Sequence, residues 1–475
     1  MILNRKALWL ALLSAALIVL FTGCNDTLRQ FITPVPGPGG DPGILSHAIV
    51  TSTNPAVPTP GNPAVGSNLH IDVSGDSVSA VIPLGPKPVF LGKSASRVFS
   101  LNSDDTVTSY IALNPLNTPI STTTLPPGTT AVAGGFSSLG NFYVADNVGN
   151  DVSMISAIVN AVTTTVPVGI NPIAVAGNNN NSKIYVVNRG SNNVTVVSTT
   201  DNFVVGNIPV GTSPIWGLMA PDGVHVFIVN QGSNDVTVID TLLDQVIATI
   251  PVGNSPNYAV FDPTNQRVYV SNTGSPFISV IKANGIDLSK QILPTKLADI
   301  PIPAAATSVA VLPNGAKAYA ALGGCTAGTN HTTITTAVSS CPGNQVAVID
   351  AQALALSKVI TVGPGAVSID AANDSSRVYV ISANDITTIN PNVPVPPGGT
   401  AQPPKTFSTP SVSIINTTDD SVLRQVADPS VASLVPTFFV PQQDPACVPA
   451  IDATFNTKVP LPCPLQIPFQ VRVFP

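Results

Sequence analysis

The stretch "IPVGNSPNYAVFDPTNQRVYVSNTGS", Ile250–Ser275, decides the fold because the chain writes it more than once. "VPVGINPIAV" begins at Val166 and "IPVGTSPIWG" at Ile208. The aromatic of the second segment falls at Phe99, Tyr143, Tyr185, Phe227, Tyr269, Tyr319 and Tyr379, and three consecutive intervals are 42 residues. The other intervals are 44, 50 and 60. The turn glycine keeps step at Gly85, Gly128, Gly169, Gly211, Gly253 and Gly363. A period near 42 belongs to four-stranded propeller blades or to helical repeats. The local pattern selects the first: "KIYVVN", "VTVVST" and "FVVGNIPV" are short β-branched runs bounded by turns.

The composition agrees. The chain has 475 residues, enough for several small cores or a repeat array. It holds 47 Pro and 35 Gly, and none of its 25 acidic residues is Glu. Glu favours helices, whereas Asp suits turns, so strands joined by Asn/Asp/Gly/Pro turns are expected. In the fourth unit the strands are "IWGLMAP", "HVFIVN", "DVTVID" and "QVIATI", with "NQGSND" between the second and third.

These residues, with "IYVVNRGSNNVTVV" and "VYVSNTGS", resemble the YVTN-family β-propeller repeat of bacterial and archaeal surface proteins, over about residues 82–425. The resemblance implies an all-β propeller and is nearly silent about ligand. Seven full units can be counted, and the family favours seven blades. Strands also precede them ("HAIVTS", "LHIDVSG", "SVSAVIPL"), and "SLVPTFFVPQ" follows. If N- and C-terminal pieces combine in one split blade, the number is eight.

The N-terminus reads as an address. "MILNRKALWLALLSAALIVLFTGC" has a basic start, an apolar run and small residues before Cys24, and its "FTGC" resembles a bacterial lipobox. The expected division is a lipoprotein signal over 1–23, a Pro/Gly-rich tether over 24–44, the propeller over 45–425, and a closing strand with a disulfide-stapled tail over 426–475. Lipid on Cys24 would attach the chain to a membrane, placing it on the cell envelope, at the outer membrane or cell surface. Cys325, Cys341, Cys447 and Cys463 remain, and the neighbours in each pair lie 16 apart. In an exported chain this spacing suggests disulfides 325–341 and 447–463, each worth roughly 3 kcal/mol of loop-closure entropy.

Net charge is −6, and no Lys/Arg stripe stands out, which argues against nucleic acid as a partner. Connections between second and third strands share one face of a propeller with the links between blades. Asn102, Asp146, Asn188, Asn230 and Asn272 hold equivalent places there, and Arg189 and Gln231 follow two of them. They form either a ligand-binding polar ring or a set of local hairpin caps. Long insertions interrupt the same connection in unit six, unit seven and the N-terminal piece, where they could form a lid over the mouth. Unit five has its extension, "KANGIDLSKQILPTKLAD", on the opposite side.

Catalysis finds little support. His47, His70, His225 and His331 are scattered, with no metal-ligand spacing, GxSxG elbow or P-loop, so no metal or cofactor is expected. The favoured role is a non-catalytic scaffold that binds an envelope protein or polysaccharide. The alternatives are a lactonase- or lyase-like propeller with an Asp-based metal site and a structural surface-layer component.

Overall fold

The computed structural model describes residues 47 to 425, leaving out 54–64, 74–75, 87, 94–96, 113–119, 178–179, 324–342, 364, 383–385, 390–404 and 409–410, and beyond them 451–452, 457–458 and 467–474. Among the described residues, eight four-stranded antiparallel sheets form the ring, beside two two-stranded ribbons, Ile386–Ile389 with Lys405–Ser408 and Ile451–Asp452 with Thr457–Lys458. Seven follow the chain as blades 1 to 7, at 88–124, 131–167, 172–209, 214–251, 256–301, 308–361 and 366–425. The eighth is split: His47–Thr53, Val65–Asp72 and Ser77–Pro86 are its outer strands, and Ile467–Phe474 is its innermost. His47 pairs with Phe474 and Thr53 with Ile467. The ring thus takes eight blades, the number opened by the extra terminal strands. The closing strand lies further down the tail than "SLVPTFFVPQ", which falls outside the described residues.

The innermost strands touch in succession around the whole circle, from Ile467–Phe474 through the first strands of blades 1 to 7 and back. Each blade buries both faces against its neighbours. The second strand Phe142–Asp146 is buried at every position, and Lys183–Asn188 at all but its first. Strands buried on both faces carry continuous Val/Ile/Tyr runs, as in "KIYVV". The Phe99 and Phe142 rings stack across the blade 1–2 boundary at 4.6 Å, with Phe136 edge-on to Phe99 at 5.2 Å.

Between blades 8 and 1 a buried polar cluster lies beside the apolar packing of Ile49 and Ile82 on Leu91 and Val98. Thr51 Oγ1 donates to Asn68 Oδ1 at 2.7 Å, and Asn68 Nδ2 donates to Ser100 Oγ and to Tyr110 Oη at 2.8 and 2.9 Å. Tyr110 Oη, accepting from Asn68, has its own proton for His70 Nε2 at 2.8 Å. All five side chains are fully buried. Burial holds the Tyr110 hydroxyl well above the ordinary tyrosine pKa, so it stays neutral.

A second belt of contacts joins blades on the side where first and second, and third and fourth, strands connect, here called the turn face. A basic residue stands two before the strand-two aromatic, as in Arg97, Lys183, Arg267, Lys317 and Arg377. It reaches the left-handed residue of the next blade's last turn or the carbonyls beside it. Lys183 pairs with Asp244 at 2.6 Å, Lys317 with Asp420 at 2.8 Å and Arg377 with Asp76 at 3.1 Å. Arg97 donates to Asn160 Oδ1, and Arg267 to the Ala351 carbonyl. Tyrosine hydroxyls reach the same position: Tyr185 shares Asp244 with Lys183, Tyr319 shares Asp420 with Lys317, and Tyr143 alone reaches Asn202, at 2.6–2.7 Å. These acceptors have φ of 52 to 60°, a region that Asn and Asp tolerate. In blade 6 the place belongs to Leu354, with φ 51°, and the Tyr269 hydroxyl is buried without a partner.

Two substitutions test these belts. Tyr110→Phe leaves Asn68 and His70 short of a buried partner and is expected to cost about 1–3 kcal/mol in denaturant unfolding. Leu354→Asn gives Tyr269 an acceptor and eases the left-handed backbone, for an expected gain of about 1 kcal/mol. A loss there would mean that the apolar packing of Leu354 outweighs the missing hydrogen bond.

Candidate functional site

The mouth face is built where each second strand turns into the third. In blades 3 and 4 the turn and the preceding inter-blade link grip each other. Arg189 N–H donates to Asn171 O and Gly190 N–H to Ile170 O, with the same pair at Gln231–Ser213 and Gly232–Thr212. Ile170 N–H donates to Ser191 Oγ and Thr212 N–H to Ser233 Oγ, both at 3.0 Å. The left-handed Asn150, Asn192 and Asn234 each accept, at 2.8 Å, from the link that enters the next blade, at Asn171, Ser213 and Ser255 N–H. Most polar residues of the repeated turn therefore have a structural partner.

The ring residues of the sequence reading sit inside this lattice. Asn188, Asn230 and Asn272 are wholly buried, Asn102 is nearly so, and Asp146 is 6% exposed. Asn188 Nδ2 donates to Asn193 Oδ1 and Thr195 Oγ1, both at 2.9 Å. Asn230 does the same with Asp235 and Thr237, and Asn102 with Thr106 and Thr108. Asn272 Nδ2 donates to Phe277 O at 3.0 Å. The link glycine lies flat on each amide; a Cβ on Gly211 would stand 2.7 Å from Asn230 Cγ, which explains why Gly and Asn recur together. Oδ1 of Asn102, Asn188, Asn230 and Asn272 has no partner and is sealed from solvent, so no ligand reaches it. The residue paired opposite each is Pro, which has no N–H to give.

The next position is the one that faces outward. Asn147, Arg189, Gln231 and Thr273 are half-buried and Ser103 is exposed. Arg189 Nη2 comes within 3.5 Å of Gln231 Oε1 across a blade boundary. Asn147 instead takes a hydrogen bond from Asn171 Nδ2 at 3.2 Å.

Blade 2 breaks the pattern electrostatically. Asp146 Oδ1 accepts from Thr130, Val148 and Gly149 N–H at 2.9–3.1 Å. Its second oxygen faces the Asp151 carboxylate across Gly149, where the other blades place an amide donor. Burial first, and the Asp146 charge second, raise the Asp151 pKa above the ordinary aspartate value.

Other features were not legible as sites. Trp216, half-buried on the innermost strand of blade 4, donates its indole N–H to Ala259 O at 3.2 Å and lies 4.9 Å from the Tyr258 ring. On the turn face, Lys317, Lys358, Asp350, Gln352 and Asp420 line an open cleft of about 550 Å³. Its lysines are committed, Lys317 to Asp420 and Lys358 to the Asp419 and Asp420 carbonyls. His225 lies buried at the basic-residue position of blade 4, and burial lowers its pKa. The signal for the turn-face belt was present as "RVF", "KIY", "HVF", "RVY" and "KAY", each with a basic residue two before the aromatic. Among the described residues no three His, Cys, Asp or Glu stand close enough to share a metal ion. Cys24, Cys325, Cys341, Cys447, Cys463 and most of the three mouth insertions lie outside the described residues; within the blade 7 insertion, Ile386–Ile389 and Lys405–Ser408 pair as an antiparallel two-stranded ribbon.

A closed ring of eight four-stranded blades, with its repeated turns locked into their own links, defines a β-propeller. No protein-family model matches the chain, and no curated protein matches it in sequence. Among solved structures it is similar to the dihydro-heme d1 dehydrogenase NirN in complex with DHE, at 13% identity and a TM-score of 0.57, covering 82% of this chain and 75% of that one. It is also similar to a functionally unknown protein from Desulfotomaculum acetoxidans DSM 771, at 14% identity and a TM-score of 0.48, covering 66% and 95%. At such identities the likeness concerns the fold alone.

Asp146→Asn tests the carboxylate pair. A raised native pKa at Asp151 means that its stabilising contribution is present below the unfolded pKa and is lost as pH rises through the native one. An Asn at 146 keeps the Oδ1 acceptor and offers Asp151 a donor. The expected gain at pH 7 is up to about 1 kcal/mol, small because Asp151 is half-exposed and solvent-screened. Denaturant midpoints should show the gain at pH 7 and its disappearance below about pH 4.

Proposed function

We propose that this chain is an exported propeller of the YVTN-repeat kind, held to the cell envelope by lipid on Cys24. In this reading it works without catalysis, binding an envelope protein or polysaccharide through the mouth face of blades 6, 7 and 8. One observation carries the reading. The three longest interruptions of a second-to-third strand connection run from Leu322 to Gln345, Ser382 to Ser411 and Thr53 to Val65. They open on the same face of three consecutive blades. The same connection runs only from Asn188 to Asn193 in blade 3.

The contrast supports recognition in blades 6 to 8 over the regular mouth. The regular turns have their polar groups bonded to their own links. Insertions on a rigid scaffold are free of that duty and commonly carry binding.

The test replaces all three insertions with the Gln231–Asn234 turn. Mature protein is then assayed against isolated cell-wall polysaccharide and a solubilised envelope-protein fraction. Capture is expected to fall at least about tenfold, equivalent to roughly 1.4 kcal/mol of binding, with the unfolding midpoint unchanged. Unaltered capture would defeat the mouth-loop reading. Mass analysis of the N-terminal peptide, with Cys24→Ser as control, tests the anchor separately.

A further inference from the structure

We propose that the turn face of blades 2 to 5 rests on a lipid bilayer, with apolar hairpin tips entering its interfacial layer. The orientation rests on the lipid-anchor reading above; the apolar tips do not.

The same short hairpin joins the third and fourth strands in several blades, so its tips can be compared position by position. The fold fixes the left-handed residue after the tip and makes no demand on the tip side chains. Blade 3 has Thr200–Asp201 there, blade 6 Gln352–Ala353 and blade 7 Thr418–Asp419. Blade 2 instead has Ile158 and Val159, 90% and 61% exposed, and blade 4 has Leu242 and Leu243, 78% and 56% exposed. Blade 3 adds Phe203 at 69%, directly after its turn. The blade 5 extension, held by the Asp287-capped turn Leu288–Lys290, presents half-exposed aliphatics beyond it. Neither turn chemistry nor blade packing accounts for these side chains.

Their distribution is one-sided. Apart from Val148 and Ile170, every exposed large apolar side chain among the described residues lies on the turn face or on the outer half of a blade beside it. Exposed apolar groups gathered on one face mark an interaction surface. The tips stand on separate blades as separate points. A fluid lipid interface can accept each of them, whereas a protein partner would need a matching pocket for every tip.

The path of the chain favours the same surface. His47 opens its strand at the turn face, opposite Asp72 and Phe474. Only residues 25–46 separate it from Cys24. In the lipid-anchor reading, the strand that follows Cys24 in the chain thus enters the ring from the turn face. Inserted apolar tips would add buried apolar area to whatever attachment the lipid supplies, and would fix which face meets the membrane. The mouth insertions would then face away from the bilayer.

The experiment uses the full chain, produced with its own leader and reconstituted into phosphatidylethanolamine/phosphatidylglycerol vesicles containing acyl-brominated lipid. Leu242→Trp and Val148→Trp are compared with the parent, whose indole is Trp216 once the leader is removed, with Trp9 added only where the leader is retained. The expected result is roughly twofold quenching of the indole introduced by Leu242→Trp, as for an interfacial side chain, and none beyond the parent for Val148→Trp. Equal quenching of the two variants overturns the proposal. Mass analysis of Cys24 in the same samples separates the readings. Lipidated Cys24 without tip quenching leaves the anchor standing and removes the docking face. Tip quenching with unmodified Cys24 keeps the docking face and removes the anchor. Self-association that Leu242→Asp abolishes, without quenching, would assign the face to a second copy and overturn the proposal.

Discussion

A blade of this protein is apolar on both faces, and that constraint governs the rest. Tyr143, Tyr185, Tyr269, Tyr319 and Tyr379 are fully or almost fully buried, as are the Val and Ile residues around them. Such a sheet needs a neighbour on each side. A row of blades would leave two bare faces at its ends; a ring leaves none. Closure is thus a thermodynamic requirement of the repeat itself. It also explains why the central strands lack the alternation of half-buried strands.

Polar side chains then fix how neighbouring blades meet. At the mouth of blades 1, 3, 4 and 5, a buried amide binds the second strand to the third, and left-handed Asn residues bind the turns of blades 2, 3 and 4 to the next link. On the turn face of blades 3 and 6, a lysine and a tyrosine reach together for one aspartate in the following blade. In blade 4 both sides of the contact depart from the repeat. Phe227 has no hydroxyl, and the blade 5 connection it faces is the extended one. The break at Leu354 is one-sided, since Tyr269 keeps its hydroxyl and loses only the acceptor.

The sequence made the propeller legible because its signals are local: β-branched runs, Gly/Asn turns and a period of 42. It also singled out Asn102, Asp146, Asn188, Asn230 and Asn272, which end second strands in blades 1 to 5. It could not show that these side chains are buried, because burial depends on a link folding back across each turn. The turn-face belt escaped for a different reason. Lys317 and Asp420 are 103 residues apart, and nothing near either one announces the other. The closing strand "IPFQVRVF" was hidden because it has none of the repeat's punctuation. Only its pairing with His47–Thr53 identifies it. Apolar tips such as Leu242–Leu243 read in sequence like any pair of buried leucines; the backbone has to place them at a hairpin apex before their exposure means anything.

The split blade also gives assembly a direction in time. Its three outer strands are the first of the ring to be synthesised, and Ile467–Phe474 is the last. Until that segment arrives, blade 8 has an unpaired inner edge and the first strands of blades 7 and 1 lack a shared neighbour. Unpaired edges invite aggregation and recognition by proteases. A chain cut short anywhere before Ile467 carries the same defect, however well its other blades have formed. The final strand therefore acts as a proof of completeness, because only a chain translated and delivered through that segment can present a sealed ring.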